Sequence, residues 1–375
     1  MVTGPRALRP CRMDQRDVPV VWSPDTTLHD PVHEVWVGVA TPATEVAERV
    51  QMIRGRLLAE GHPLVEATAD PDPVLAQVHD PDLLEFLRTA ADRWRAGPYD
   101  DLVGQPLVVP YLFPTPAMTG SLPTHEAVSV HAQAGRFAYD TMTTVGPGTW
   151  EAARAAAACA VEAARSVSAG SSRSGGGLAY ALCRPPGHHA THGGYGGSCY
   201  LNNAAVAAQA LRESGIARVA VLDLDAHHGN GTASIFYERG DVLYGSVHVD
   251  PGAGWFPHLV GFAEETGRGD GHGTTRNLPL PEASGDEVWL AAVEDLAGWA
   301  VDAGCAALVV SLGVDAATED PESPLLVTEE GFRAGGRLLG STGLPAVVVQ
   351  EGGYHLPTLG ALVSAYLTGH AETLA

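Results

Sequence analysis

The stretch RVAVLDLDAHHGNG, residues 218–231, is the part of the chain from which the fold can be reasoned. It opens with an apolar run of strand length, rich in Val and Leu, which indicates a strand buried on both faces. The run ends at Asp225, and a polar turn with two histidines and two glycines follows at once. A buried strand that ends in such side chains is typical of α/β sheets, whose ligands bind at the carboxyl edge.

The same arrangement recurs along the chain. Further strands are predicted at LAYALC (178–183), VLYGSVHV (242–249), AALVVSLG (306–313) and PAVVVQEGG (345–353). Segments with helical periodicity that end at or near a glycine lie between them, at 202–215, 284–304 and 328–343. The alternation predicts an α/β fold with one open, mostly parallel sheet, helices on both faces and the active site at the C-terminal ends of the strands.

The organisation of the rest is simpler. The N-terminal third is mostly helical by pattern, as in 44–61 and 80–97, and no repeat or long linker divides the chain. We therefore treat residues 1–375 as a single domain, with residues 1–30 as an N-terminal extension. The Ser- and Gly-rich segment 166–177 is predicted to be a flexible loop.

Composition and charge exclude several classes of partner. The net charge of −22 argues against nucleic acid and anionic membranes as partners and favours a cationic substrate, although solubility alone explains an acidic chain equally well. The five cysteines are scattered without a C-x-x-C pair, which fits neither a disulfide framework nor a thiolate zinc site. The absence of lysine suggests a GC-rich bacterial genome. We see no signal peptide or membrane span and expect a cytoplasmic protein.

Four predicted strands deliver chemically competent side chains at their C-terminal ends. The residues concerned are His188 and His189, Asp225 and His227, Asp315, and Tyr354. Positions i and i+2 of an extended chain project to the same side, so Asp225 and His227 can reach one ion. A lone D-x-H pair is usually only a hydrogen-bonded loop, but Asp315 from another strand end completes a three-ligand set that leaves a position open for water and substrate. The set suits a catalytic Zn²⁺, and also Fe²⁺, Mn²⁺ or Co²⁺.

Seven motifs reveal a resemblance to a known family. In chain order they are RPPGHHA, GGSCYLNNAAVAAQAL, VLDLDAHHGNGT, SVHVDPGAGWFP, NLPLP, LGVDA and EGGY. The chain resembles the histone deacetylase superfamily in its class II form, and especially the bacterial acetylpolyamine amidohydrolases. The resemblance runs from about Val32 to the C-terminus.

The resemblance implies a role for each site residue. Asp225, His227 and Asp315 would hold the zinc, His188 and His189 would be the tandem catalytic histidines, and Tyr354 would stabilise the transition state. Asp223 would stand behind His188, and Asn230 behind His189. A structural K⁺ would be held by the side chains of Asp223 and Ser246 and by main-chain oxygens of Asp225, His227 and Val247.

The resemblance also implies a substrate channel. It would be lined by Gly197, Ser198, Trp255, Phe256 and Gly353. Ser198 departs from the family, which usually has Phe or Tyr at this place. A buried aromatic covers about 150–250 Å², so we expect its loss to widen or hydrate the channel. We also expect Ser198→Phe to improve turnover of slim acetyl-lysine reporters.

The expected function is zinc-dependent hydrolysis of the N-acetyl amide of a small amine, an acetylpolyamine being the leading candidate. The alternatives are a protein acetyl-lysine deacetylase and a deacylase of a secondary-metabolite intermediate. A non-catalytic binder would have lost a ligand, a tandem histidine or the tyrosine. Residues 95–125 resemble an insertion that narrows the entrance and supports homodimers, but the sequence alone names no carboxylate that would anchor a polyamine.

Overall fold

The computed structural model describes residues 18–170 and 177–374. Short apolar segments form the strands in this part of the chain: β1 Val20–Trp22, β2 His33–Trp36, β3 Val39–Pro42, β4 Leu64–Glu66, β5 Leu178–Ala181, β6 Val219–Asp223, β7 Val242–Val249, β8 Thr275–Leu280, β9 Ala307–Leu312 and β10 Ala346–Gln350.

Eight of these strands form one parallel sheet in the order β4-β1-β5-β10-β9-β6-β7-β8. The five strands predicted from the sequence are confirmed, and they occupy adjacent places in the sheet, from β5 to β7. Their carboxyl ends therefore meet along one edge. The remaining strands, β2 and β3, form a separate antiparallel hairpin.

Three strands of the sheet escaped the sequence pattern. β1 and β4 are three residues long, too short for an alternation to show. β8 contains Pro279, which lacks an N–H group and is tolerated because β8 lies at the edge of the sheet. The prediction of a mostly helical N-terminal third therefore missed four strands, namely β1 and β4 of the sheet and the hairpin of β2 and β3.

Helices cover both faces of the sheet. Their bounds are α1 Glu48–Ala59, α2 Asp72–Val78, α3 Pro81–Arg95, α4 Tyr99–Val103, α5 Pro116–Thr119, α6 Val130–Phe137, α7 Thr149–Gly170, α8 Asn203–Glu213, α9 Asn230–Phe236, α10 Asp286–Asp302, α11 Glu329–Gly340 and α12 Leu356–Glu372. Successive strand residues point to opposite faces, so Val309 joins the core under α7 and α8 whereas Val310 joins the core under α10, α11 and α12.

Two assigned boundaries need correction. Residues 18–30 are not an appended extension, because β1 pairs with both β4 and β5 and its valines are buried. The predicted loop 166–177 begins inside α7, which runs to Gly170 as an uninterrupted helix. Residues 1–17 and 171–176 lie outside the described residues.

Two further features concern partners. Residues 95–125 contain α4 and α5, and their part in an entrance or a homodimer stays a prediction. In residues 18–170 and 177–374, no helix combines the length and the apolar character that a membrane span requires.

Candidate active site

The proposed metal ligands lie together at the carboxyl edge of the sheet. Nδ1 of His227 lies 3.3 Å from Oδ1 of Asp225 and 3.1 Å from Oδ2 of Asp315. One ligand atom from each residue lies within 4.8 Å of the other two. The main-chain N–H of Ala226 donates to Asp315, and that of Gly352 donates to Asp225, each at 2.9 Å. The loops after β6 and β10 therefore hold both carboxylates in place.

The electrostatics of these three residues favour a cation. Burial and the neighbouring Asp225 raise the pKa of Asp315 to about 7. Burial opposes the charged form of His227, but hydrogen bonds with Asp225 and Asp315 hold its pKa well above the usual value. Two buried carboxylates this close repel each other unless positive charge lies between them. A set of two oxygen donors and one nitrogen donor, which requires positive charge and leaves coordination positions open, fits a catalytic divalent cation.

The tandem histidines have chemically different partners. Nδ1 of His188 lies 3.1 Å from Oδ2 of Asp223, a carboxylate. Nδ1 of His189 lies 2.8 Å from Oδ1 of Asn230, a neutral amide oxygen that can only accept. Asn230 therefore fixes the tautomer of His189 with its proton on Nδ1 and leaves Nε2 free.

The pKa values of the two imidazoles are shifted in opposite directions. Burial opposes protonation of His188, but Asp225 and Asp223 raise its pKa to about 10. Burial and the adjacent His188 hold the pKa of His189 well below the usual value. Neighbouring groups whose pKa values diverge in this way can divide the roles of electrostatic stabiliser and base.

Glu351 is a member of the site that sequence analysis missed. Its Oε2 accepts hydrogen bonds from the main-chain N–H groups of Gly187 and His188, at 2.6 and 3.1 Å. Burial raises the pKa of this carboxyl to about 7. The sequence did offer a signal, because Glu351 is a charged residue directly after the buried run AVVVQ of β10. It was treated only as the first residue of the motif EGGY.

Arg49 was also missed, and it supports the loop that carries Tyr354. The buried guanidinium donates through Nε to the main-chain oxygen of Gly353 at 2.7 Å and through Nη2 to that of Glu351 at 2.6 Å. Its charge is paired with Glu45 at 2.6 Å. Arg49 lies four residues before the apolar Ile53 and therefore on the same face of α1. A charged residue on an apolar helix face was the signal that the sequence offered.

Tyr354 is held from two sides. Its main-chain N–H donates to Oδ2 of Asp320 at 2.6 Å, and the guanidinium of Arg49 lies 4.8 Å from its ring centroid. Burial raises the pKa of its hydroxyl well above the usual value, and Asp315 and Asp225 act in the same direction against the opposing charge of Arg49. The hydroxyl therefore keeps its proton and is available as a hydrogen-bond donor near the metal ligands.

The predicted channel residues are only partly brought together. The rings of Phe256 and His189 meet edge to face, with centroids 4.7 Å apart. Gly197 has a φ of +58°, and an added Cβ would lie 2.4 Å from the His189 ring, so only glycine fits there. Ser198 is partly exposed beside it.

Two of the predicted channel residues have other contacts. Trp255 packs against the core on the α10 side and donates its indole N–H to Glu282 at 2.7 Å. The backbone of Gly353 is tied to Arg49 behind Tyr354. The structure thus places the Trp255 indole against core and surface groups rather than beside His189.

The residues of the predicted monovalent-cation site also converge. Asp223 and Ser246 are paired in register on β6 and β7, and Val247 follows on β7. Nε2 of His248 lies 2.8 Å from the main-chain oxygen of Gly261, so it donates there and Nδ1 accepts from the Ser246 hydroxyl at 2.8 Å. The Ser246 oxygen therefore directs its lone pairs elsewhere, as a cation ligand must.

The ligand loop contributes two more oxygens. Within residues 18–170 and 177–374, the main-chain oxygens of Asp225 and His227 accept no main-chain hydrogen bond. Burial raises the pKa of Asp223, which means that its carboxylate lacks full compensation by the protein alone. Hard oxygen donors around an undercompensated carboxylate fit a monovalent cation.

Cys199 lies against the site without serving as a nucleophile. The thiol is free and buried, and burial and Glu351 raise its pKa well above the usual range. A thiol that stays protonated is unreactive, as expected for a packing residue.

Comparison with known proteins agrees with this geometry. The histone deacetylase domain family matches residues 43–370. The acetylpolyamine amidohydrolase of Mycoplana ramosa is 40% identical over 353 residues, which cover 94% of this chain and 99% of the relative. The protein of the same name from Burkholderia pseudomallei is 42% identical, covering 92% of this chain and 96% of the relative.

Solved structures show the same similarity. The crystal structure of acetylpolyamine aminohydrolase from Burkholderia pseudomallei superimposes with a TM-score of 0.86 at 40% identity, covering 94% of this chain and 98% of that one. The HD domain of HDA15 superimposes with a TM-score of 0.76 at 26% identity, covering 96% and 89%. The sheet, the candidate metal ligands and these matches together show that the chain belongs to the histone deacetylase family and is a hydrolytic deacetylase.

Proposed function

We propose that this enzyme releases acetate from an N-acetylated small amine, with an acetylpolyamine as the leading candidate. The observation that carries the chemistry is the juxtaposition of Asp225, His227 and Asp315 with two adjacent histidines of unequal partners. The three metal ligands would hold Zn²⁺, with Fe²⁺, Mn²⁺ or Co²⁺ as alternatives. When bound, the metal would polarise the acetyl carbonyl and acidify the attacking water.

His189 is the proposed proton carrier. Its Nδ1–H is committed to Asn230, so Nε2 can take a proton from the attacking water and later give it to the leaving amine. His188 faces the carboxylate of Asp223, which favours its cationic form. In this assignment His188 supplies positive charge beside the reacting carbonyl while His189 moves the proton.

Tyr354 is the proposed donor to the carbonyl oxygen as this oxygen gains charge. Its hydroxyl lies in the electrostatic field of Asp315 and Asp225, and Arg49 holds both its ring and the loop before it. A donor fixed in advance stabilises the transition state because little reorganisation is needed during the reaction. Asp223 and Ser246, with main-chain oxygens of Asp225, His227 and Val247, would hold K⁺ behind the site.

The preference for a cationic amine rests on the relatives' names and on three neighbouring carboxylates, those of Glu34, Asp140 and Glu322, which we call the acidic mouth. Burial and the neighbouring Glu322 and Asp140 raise the pKa of Glu34 to about 7. Asp140 accepts a hydrogen bond from the Gly197 N–H at 2.6 Å, and Glu322 contributes to the raised pKa of the Tyr354 hydroxyl. Asp140 and Glu322 thus connect these three carboxylates to the loops near His189 and Tyr354, and a second ammonium group on the substrate would reduce the repulsion among them.

Substrate choice is tested with three acetylated compounds that differ in the group beyond the amide. We expect kcat/KM to be at least about tenfold higher for N-acetyl-1,4-diaminobutane than for neutral N-butylacetamide, since a specific polar contact commonly discriminates by this much or more. An acetyl-lysine peptide is the third substrate. A clear preference for the peptide would favour the protein deacetylase alternative, and bound metal without acetate release from any acyl amide would overturn the proposed function.

A further inference from the structure

An aromatic side chain stands opposite Phe256 although Ser198 occupies the place where the family usually has one. The rings of Tyr139 and Phe256 are stacked, with centroids 6.5 Å apart and planes inclined by 16°. Tyr139 belongs to the segment after α6, about sixty residues before Ser198 in the chain. The residue is 38% exposed although its hydroxyl is held inside by His189, so part of the ring faces open space.

The Tyr139 ring is fixed beside the catalytic histidine. Its hydroxyl donates to the main-chain oxygen of His189 at 2.8 Å. A Cβ added at Gly196 would lie 2.3 Å from the Tyr139 ring, so the ring rests on the bare backbone of that glycine. The Phe256 ring meets the His189 ring edge to face, with centroids 4.7 Å apart. Tyr139 and Phe256 therefore flank the approach to His189.

The loop that contains Ser198 is tied to the same segment. Asp140 accepts from the Gly197 N–H at 2.6 Å, and the Thr143 hydroxyl accepts from the Ser198 N–H at 2.8 Å. The segment that carries Tyr139 is thus hydrogen-bonded to the loop that contains Ser198. A small side chain at position 198 leaves room for the Tyr139 ring to face the channel.

We propose that Tyr139 is the second aromatic wall of the substrate channel and determines which amines enter it. The sequence alone predicted a channel widened by Ser198, but the Tyr139 ring closes the space opposite Phe256. Carbon atoms in contact lie about 3.5–4.0 Å apart, so a methylene chain between two ring faces needs about 7–8 Å. The two ring centroids are 6.5 Å apart, so the rings must move apart by about one ångström to admit an unbranched chain. Branched or aromatic amines need far more.

This inference rests on the proposed function, and the two can be tested apart. Binding of N-acetyl-1,4-diaminobutane is measured by calorimetry on the metal-loaded protein carrying Tyr354→Phe, which slows turnover, and the variants below are compared in this background. We expect Tyr139→Ala to weaken binding about tenfold or more, as for the loss of an apolar pocket wall. Tyr139→Phe, which keeps the ring and loses the bond to His189, should retain most of the affinity. Equal affinities with and without Tyr139→Ala would overturn the inference, whether or not the enzyme deacetylates this amine.

The reciprocal variant gives the sharper result. Ser198→Phe with Tyr139 intact should overfill the slot and weaken binding, whereas together with Tyr139→Ala it should restore binding by returning an aromatic wall. Ser198→Ala adds no bulk and serves as the size control. Tighter binding by Ser198→Phe with Tyr139 intact would show that the channel is wide and that Tyr139 is not its wall. Thermal unfolding of each variant separates these effects from loss of the fold.

Discussion

An oxygen of the Glu351 carboxylate lies 3.1 Å from the main-chain nitrogen of His188 and accepts its hydrogen bond. The end of β10 thereby holds the loop after β5, which carries both tandem histidines. The same oxygen accepts from the Gly187 N–H, so a single buried side chain positions the start of the loop that carries the tandem histidines.

Glu351→Gln is expected to lower kcat about 10- to 100-fold with little change in KM. The amide can place an N–H₂ group against the two donors, and displacements of an ångström in a catalytic group can cost about this much. Kinetics and metal content are compared with Glu329→Gln, an exposed surface control. Unchanged kcat with only a lower melting temperature would show that Glu351 supports the fold alone.

Tyr354→Phe should lose about 10²–10³ in kcat, because one preorganised donor to the developing oxyanion disappears. The metal should remain bound, since the hydroxyl is not among the proposed ligands. Steady-state kinetics and metal analysis on the same preparation check both statements. Near-wild-type turnover would remove Tyr354 from the mechanism.

Asn230→Asp should move the acidic limb of the kcat/KM profile to higher pH, by about one unit or more. A carboxylate stabilises the protonated form of His189 and so raises its pKa. Because the proposed base works only when neutral, a higher pKa means that activity disappears at a higher pH as the solution is acidified. A profile that stays in place would assign the base to another group.

Metal removal should abolish acetate release and lower the melting temperature, because an ion that binds only the folded state stabilises it. Asp315→Asn is expected to reduce bound metal strongly, whereas the exposed control Asp270→Asn should retain it. Adding back Zn²⁺, Fe²⁺, Mn²⁺ or Co²⁺ identifies the most active metal. Full activity after exhaustive chelation would contradict the metal-dependent mechanism.

The acidic mouth predicts a pH-dependent KM. Burial, Glu322 and Asp140 raise the pKa of Glu34 to about 7, so its carboxyl is protonated below that pH and charged above it. The KM for N-acetyl-1,4-diaminobutane should therefore fall as the pH rises through 7. Glu34→Gln should flatten this dependence, and neutral N-butylacetamide should not show it. The same slope for both compounds would show that the charge of Glu34 does not act on the substrate's ammonium group.

Local sequence pattern was sufficient for the centre of the sheet and for bringing together the candidate metal ligands. Buried strands appear as continuous apolar runs, and parallel strands place their C-terminal residues along one edge. Asp225, His227 and Asp315 could be selected because they lie at the end of such a run or two residues beyond it. β1, β4 and β8 were missed because three-residue strands and a proline-bearing edge strand carry no clear period.

The residues that support the site depended on the tertiary structure. Arg49 reaches the backbone of Gly353 across 304 positions of the chain, and no local pattern encodes such a contact. Glu351 was visible as a charged residue, but its partners lie on another strand end.

The fold class, the family resemblance and the candidate metal ligands can be read from the residues in order, because they follow from short motifs at strand ends. The shape of the channel depends on the folded chain. Ser198 alone indicates a wide opening, whereas in the folded chain the ring centroids of Tyr139 and Phe256 are 6.5 Å apart. Packing can thus supply from a distant segment the aromatic ring that the local motif lacks.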